Sequence, residues 1–96
     1  MAMEENYYLI AFKSTHHGIA LEKILQEAGK SSRMIPTPRE ISNSCGLSLR
    51  FNREDLAFVL EKIHTNNISI YGIYSVNITY GKKKIQSIAK GETENV

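Results

Sequence analysis

The segment Cys45-Gly46-Leu47-Ser48-Leu49-Arg50-Phe51 and the twelve residues that follow it decide the fold. Apolar and polar side chains alternate through 45–51, as in a strand that buries one face. Asn52 and Asp55 then give a helix-start signal, with acidic side chains near the positive end of the helix. The next apolar residues recur at i, i+3, i+4 and i+7, which is typical of an amphipathic helix: Leu56, Val59, Leu60 and Ile63. The sequence therefore predicts a strand followed directly by a helix.

Three more strands and one more helix are predicted around this unit. Residues 7–12 form a continuous aromatic and aliphatic run, typical of a central strand that is buried on both faces. A helix from about 16 to 28 follows, and residues 33–35 form a short edge strand that two prolines end. Alternation over 68–80 predicts the last strand, in which Gly72 marks a bulge or a close approach.

The order strand, helix, strand, strand, helix, strand predicts an α+β fold of the ferredoxin-like type. Right-handed crossovers make strands one and two parallel, and likewise strands three and four, so that the two pairs interleave as one antiparallel sheet. We therefore expect a ferredoxin-like sandwich, with a four-stranded antiparallel sheet and two helices on one face. The expected organisation is a single domain over 1–80 and a basic, polar C-terminal tail over 81–96.

Composition excludes several classes of protein. The chain has 96 residues, 42% of them hydrophobic, which suits one small globular domain with a modest core. No apolar stretch approaches the length of a membrane span, and the acidic N-terminus argues against a secretory signal, so we expect a cytoplasmic protein without a membrane partner. The net charge of +2 does not by itself indicate nucleic-acid binding, and the lysines at 82–84 are interpreted as part of a solvated tail.

The predicted last strand bears on partners. Its alternating pattern runs to Tyr80, past the expected end of the sheet, and an exposed apolar edge must be paired or covered. The sequence therefore predicts either a homodimer or a fold-back of Ile85, Ile88 and Ala89 over that edge.

Cys45 is the chain's single cysteine and the leading candidate for chemistry. The predicted topology brings it to the same sheet edge as the start of the first helix. A helix N-terminus, a cationic neighbour or amide donors would lower the pKa of a thiol from its usual value of about 8.5. The alternative is that Cys45 only packs, because it is in phase with Leu47, Leu49 and Phe51 and free cysteine is often buried.

Other kinds of site have weaker support. His16 and His17 are adjacent in a predicted helix and diverge by about 100°, so a metal site with Cys45 and His64 has no recognisable ligand spacing, and we expect neither a metal nor another cofactor. Arg39 and Lys13 are candidates for binding an anionic sulfur or selenium species. No glycine-rich phosphate loop, pair of catalytic carboxylates or serine nucleophile motif is present.

Two runs of sequence form a recognisable pattern. The first is Thr15-His16-His17 with Ala20 and Glu22, and the second is Ile35-Pro36-Thr37-Pro38-Arg39-Glu40-Ile41-Ser42 leading to Ser44-Cys45-Gly46. Together they resemble a family of small bacterial domains of unknown function described as selenium/sulfur carrier-like. The resemblance covers about 7–74 and is most specific in the second run. Gly18 and Asn43 depart from the family pattern by mild substitutions.

The resemblance implies a carrier rather than a true enzyme. Its cysteine, here Cys45, would accept sulfur or selenium as a persulfide or selenosulfide and hand it on between donor and acceptor proteins. The expected supporting or anion-binding residues are Thr15, His16, His17, Thr37, Arg39, Ser44 and Gly46. Two other functions stay open: a ligand-binding or regulatory dimerisation module in which Cys45 is structural, and nucleic-acid binding, which lacks an RNA-recognition signature.

Overall fold

The computed structural model describes residues 4–90 and contains two α-helices and five strands. The elements along the chain are β1 (Glu4–Ala11), α1 (Thr15–Glu27), β2 (Ser32–Pro36), β3 (Leu47–Phe51), α2 (Leu56–Thr65), β4 (Gly72–Thr79) and β5 (Lys82–Lys90). A single 3-10 turn, Arg53–Asp55, leads into α2. The residues that predicted the second helix therefore form it, and the α+β class is confirmed. Neither helix in 4–90 has the length and apolar character needed to cross a membrane.

The sheet is antiparallel throughout, with the strand order β2-β3-β1-β4-β5. The first four strands interleave as predicted, and β2 lies at an edge as its prolines indicated. The predicted four-stranded ferredoxin-like sheet is wrong in the number of strands, because β5 adds a fifth. Most of the segment assigned to a tail is therefore part of the sheet, while residues 91–96 of that predicted tail lie outside the described residues.

A tight hairpin joins β5 to β4. Thr79 pairs with Lys82, so the loop has two residues, Tyr80 and Gly81, with φ angles of 51° and 82°. Two successive positive φ angles are typical of a type I′ turn, whose twist matches that of the flanking strands. The predicted fold-back is confirmed, since β5 contains Ile85, Ile88 and Ala89 and pairs along the whole of β4.

Both helices pack on one face of the sheet, which we call the helix face. Its core contains Leu21 and Leu25 of α1 and Val59 of α2. Strand residues complete it, namely Ile10, Leu49, Phe51 and Ile73, with Phe12, Ile68 and Ile70 from the adjoining loops. The placement of Ile68 and Ile70 corrects the predicted last strand, which begins at Gly72 instead.

The start of α2 differs from its predicted cap. Neither Asn52 nor Asp55 makes a side-chain capping hydrogen bond. The buried Asp55 carboxylate lies 3.5 Å from the Lys30 ammonium instead. Asp55 thus connects α2 to the loop after α1.

Neither helix packs on the opposite face of the sheet, which we call the open face, yet several of its residues are buried. Its buried residues are Tyr7, Leu9, Ala11, Cys45, Tyr74 and Val76, and Ile35, Ile41, Ile78 and Ile85 pack against them. The Arg50 guanidinium lies 3.8 Å from the centre of the Tyr7 ring and covers part of it. The residues between β2 and β3 supply further cover, and they include Cys45.

Candidate functional site

Residues 37–46, which we call the strap, connect β2 to β3 and cross the open face. The strap is closed at its base, where the Thr37 N–H donates to the Gly46 carbonyl at 3.2 Å and the Thr37 hydroxyl lies 2.7 Å from that of Ser48. At its far end the Glu40 carboxylate lies 3.9 Å from the Lys83 ammonium on β5. Because β1 and β4 lie between β3 and β5, the strap reaches across most of the sheet.

The strap is ordered internally by two turns. The Pro38 carbonyl accepts hydrogen bonds from the N–H groups of Ile41 and Ser42. The Ser42 hydroxyl then accepts from the N–H groups of Ser44 at 3.0 Å and Cys45 at 3.2 Å. This serine turn fixes the backbone of Cys45 relative to the rest of the strap.

Cys45 lies on the open face, which corrects the predicted phase. Alternation would put it with Leu49 and Phe51, but β3 begins at Leu47, so the alternation does not extend back to Cys45. Its side chain is 9% exposed and packs with Ala11 and Tyr74. The thiol therefore lies in an apolar environment against the sheet, next to the protein surface.

Tyr74 reaches this position because Gly72 has no side chain. A Cβ on residue 72 would lie 2.7 Å from the Tyr74 hydroxyl and 3.0 Å from the Ala89 carbonyl oxygen. The predicted close approach at Gly72 is thus confirmed. The Tyr74 side chain lies back along β4 toward Gly72, at the end of the strands where β2 leads into the strap and the strap leads into β3.

Burial, followed by the neighbouring Tyr71 and Cys45 side chains, raises the pKa of Tyr74 above its ordinary value. We expect Tyr74→Phe to remove a phase above the ordinary tyrosine range from a spectrophotometric titration of the folded protein. Because the folded pKa exceeds the unfolded one, the associated stability is complete below about pH 10 and falls as pH rises through the folded value. An unchanged titration curve in the variant would contradict this assignment.

The structure separates the residues at the start of α1 from Cys45. Thr15 and His16 are exposed, and the Nδ1 atom of His17 accepts a hydrogen bond from the Ser69 N–H at 2.6 Å. Because α1 packs on the helix face and Cys45 on the open face, the helix N-terminus and the thiol lie on opposite sides of the sheet. Activation of the thiol by this helix, and a role for these three residues, remain predictions.

The predicted residues on the strap stay close to Cys45 in the chain. Thr37 and Gly46 close the base of the strap, and Ser44 joins the serine turn through its N–H. Arg39 is exposed near the tip. Anion binding by these residues remains a prediction. Across 4–90, no group of three or more His, Cys, Asp or Glu side chains is placed to hold a metal ion.

Sequence reasoning missed three residues that shape the surroundings of Cys45. Ile41 is an isolated apolar residue in a polar loop, and that isolation was the available signal that its side chain packs against the sheet and is partly buried. Ser42 stands two and three residues before the groups it binds, which is the spacing of a serine turn. Tyr74 was predicted only as part of an alternating strand, and its position over Gly72 depends on contacts that no local pattern contains.

The comparisons with known proteins support one family. No curated protein and no solved structure matches the chain. The model of the family described as "Putative Se/S carrier protein-like" matches residues 7–75. This match covers more than half of the chain and includes residues 7–11 of β1, the strap with Cys45, and Gly72 and Tyr74. The chain belongs to this selenium/sulfur carrier-like family.

Proposed function

We propose that this protein carries sulfur or selenium on Cys45. The observation that carries the proposal is the family match over 7–75, since Cys45 is the chain's single cysteine and lies within it. A carrier needs one nucleophilic atom that can be loaded and unloaded, and a thiolate is the nucleophile of such exchange. The supporting observation is the position of Cys45, which is packed among apolar side chains and close to the surface.

The proposed loading step conserves atoms and electrons. The Cys45 thiolate attacks the outer sulfur of a donor persulfide, a new S–S bond forms, and the donor's own S–S bond breaks. The donor leaves as a thiolate, and Cys45 holds the persulfide. A selenosulfide donor reacts in the same way with selenium as the outer atom.

Unloading repeats the exchange in the opposite direction. An acceptor thiolate attacks the outer sulfur or selenium, and the Cys45 thiolate leaves. Neither step needs an added oxidant, reductant or bound cofactor. The partners of the protein in this proposal are sulfur or selenium donor and acceptor proteins. The chemistry suits the cytoplasm, where thiols stay reduced.

Burial of Cys45 has a specific use in this proposal. A persulfide on an exposed cysteine is open to every small thiol in solution, and thiol exchange requires access to the sulfur. A side chain that is 9% exposed restricts such loss. The same burial requires that the thiol be uncovered when a partner binds.

The direct test is intact-mass spectrometry of the folded protein after treatment with inorganic polysulfide and removal of the excess. We expect one added sulfur atom per chain, and we expect reduced glutathione to remove it as glutathione persulfide. A folded protein that takes up no sulfur, while its urea-unfolded form does, would contradict the carrier function.

The second candidate function is a binding or regulatory module in which Cys45 is structural. The apolar packing of Cys45 against Ala11 and Tyr74 favours it, because a small buried cysteine fills space as an apolar residue does. The proposed homodimer belongs to this alternative as well, and sedimentation equilibrium of the full chain tests it. A reaction of Cys45 that occurs only on unfolding would favour this function.

A further inference from the structure

We infer that the strap is a lid, and that release of its tip from the open face controls the reactivity of Cys45. This inference rests on the proposed function for its biological meaning, but the motion can be measured separately. The lid consists of residues 37–46, hinged where the strap joins β2 and β3. Its open form exposes the thiol, and its closed form is the one described above.

The contacts of the strap are divided between its base and its tip. The base is tied to the β2–β3 ladder through Thr37, Gly46 and Ser48. The tip is held by Ile41, which packs against the buried residues of the open face, and by the ion pair of Glu40 with Lys83 of β5. Release of the tip therefore leaves the base of the strap intact.

Of the two tip contacts, Ile41 contributes more. It packs against both apolar clusters of the open face, one of which contains Cys45. The Glu40 and Lys83 side chains are 59% and 40% exposed, and a surface ion pair contributes little in water and is weakened further by salt. The packing of Ile41 therefore holds the tip of the strap on the open face, and the ion pair orients the tip.

Cys45 is itself a residue of the lid and moves with it. Its N–H is held by the Ser42 hydroxyl, and no atom from beyond its chain neighbours lies within 4 Å of where a Cβ of Gly46 would stand. Gly46 thus provides a flexible, unpacked joint between the lid and β3. Opening at this joint lifts Cys45 from Ala11 and Tyr74 and presents the thiol to a partner.

The test is the rate of Cys45 alkylation by iodoacetamide under native conditions, in the wild type, Ile41→Ala and Ile78→Ala. Ile78 is the matched control, because it packs on the same face but belongs to β4. When opening is fast compared with alkylation, the rate follows the population of the open form. We expect Ile41→Ala to raise the alkylation rate about tenfold. We expect Ile78→Ala to raise it only by the amount that its overall loss of stability, measured from the urea midpoint, explains.

A second pair of variants avoids disturbing the core. Glu40→Lys is expected to raise the alkylation rate by a factor of about two to five at low salt, and Glu40→Lys with Lys83→Glu to restore it. Equal rates in all variants, or equal increases in Ile41→Ala and Ile78→Ala at matched stability, would overturn the lid. A gated thiol that takes up no sulfur from polysulfide would refute the carrier function and leave the lid standing.

Discussion

Moving the single thiol from position 45 to position 31 is expected to make the protein lose bound sulfur faster. Cys45→Ser removes the only cysteine, so no persulfide forms on that variant. Adding Ser31→Cys restores one thiol, but at an exposed position before β2, at the end of that strand away from the strap. This thiol lies outside the strap and its apolar cover.

The two single-cysteine proteins then differ in retention rather than in uptake. Both load from inorganic polysulfide, since an exposed thiolate is also a competent nucleophile. Loss of the added sulfur to glutathione is expected to be about tenfold faster from position 31, because attack on Cys45 requires opening of the lid. Time-resolved intact mass measures both rates. Equal retention at the two positions would show that the surroundings of Cys45 give no protection.

The sequence predicted most of the sheet because local and long-range signals agree there. The apolar spacing of Leu56 to Ile63 matches one face of a helix. In the structure Leu56, Val59 and Ile63 meet the core of the sheet, whereas Leu60 is exposed. Crossover handedness then fixed the order of the first four strands. Both rules depend on sequence periodicity and on the chirality of the chain, so they can be applied before any tertiary contact is known.

The fifth strand was missed because charge conceals its pattern. Lys82, Lys83 and Lys84 lie on alternating faces of an edge strand, where both faces near the turn are solvated, so no alternation of polarity appears. Lysines at an edge also discourage pairing with another copy of the chain. The positive φ of Tyr80 gave no signal either, because the residues that usually begin such turns are Asn, Asp and Gly.

The position of Cys45 was missed for a different reason. Its spacing continues the alternation of β3, yet the Thr37 to Gly46 hydrogen bond closes the ladder and Cys45 belongs to the strap beyond it. Which face a loop residue covers depends on where the loop packs, and here Ile41 packs the strap against the open face. The sequence therefore singled out Cys45 as the candidate, and the structure places it in an apolar environment that its local pattern did not predict.

Deleting residues 81–96 is expected to destabilise the whole domain, because β5 is structural. The deletion removes Ile85 and Ala89 from the two faces, together with every backbone pair that β5 makes with β4. Ile85 is only partly buried, so loss of its side chain costs less than the ~2–5 kcal/mol typical of a fully buried isoleucine. The lost strand pairing adds to that cost, and a small domain has only about 5–15 kcal/mol in total. The urea midpoint should fall accordingly, or cooperative unfolding should disappear.

The deletion also distinguishes a segment that covers the edge of β4 from a solvated tail. Without β5, the edge of β4 carries unpaired backbone groups beside Tyr74 and Val76, and such an edge pairs with another chain. Sedimentation equilibrium should therefore show self-association of the shortened chain, while deletion of 91–96 alone serves as the control for chain length. A monomer with the midpoint of the full chain would mean that β5 adds nothing to the fold. In that case the strap tip would also lose its anchor on Lys83 without effect, and the lid would have to be held by Ile41 on the open face of β1 and β4.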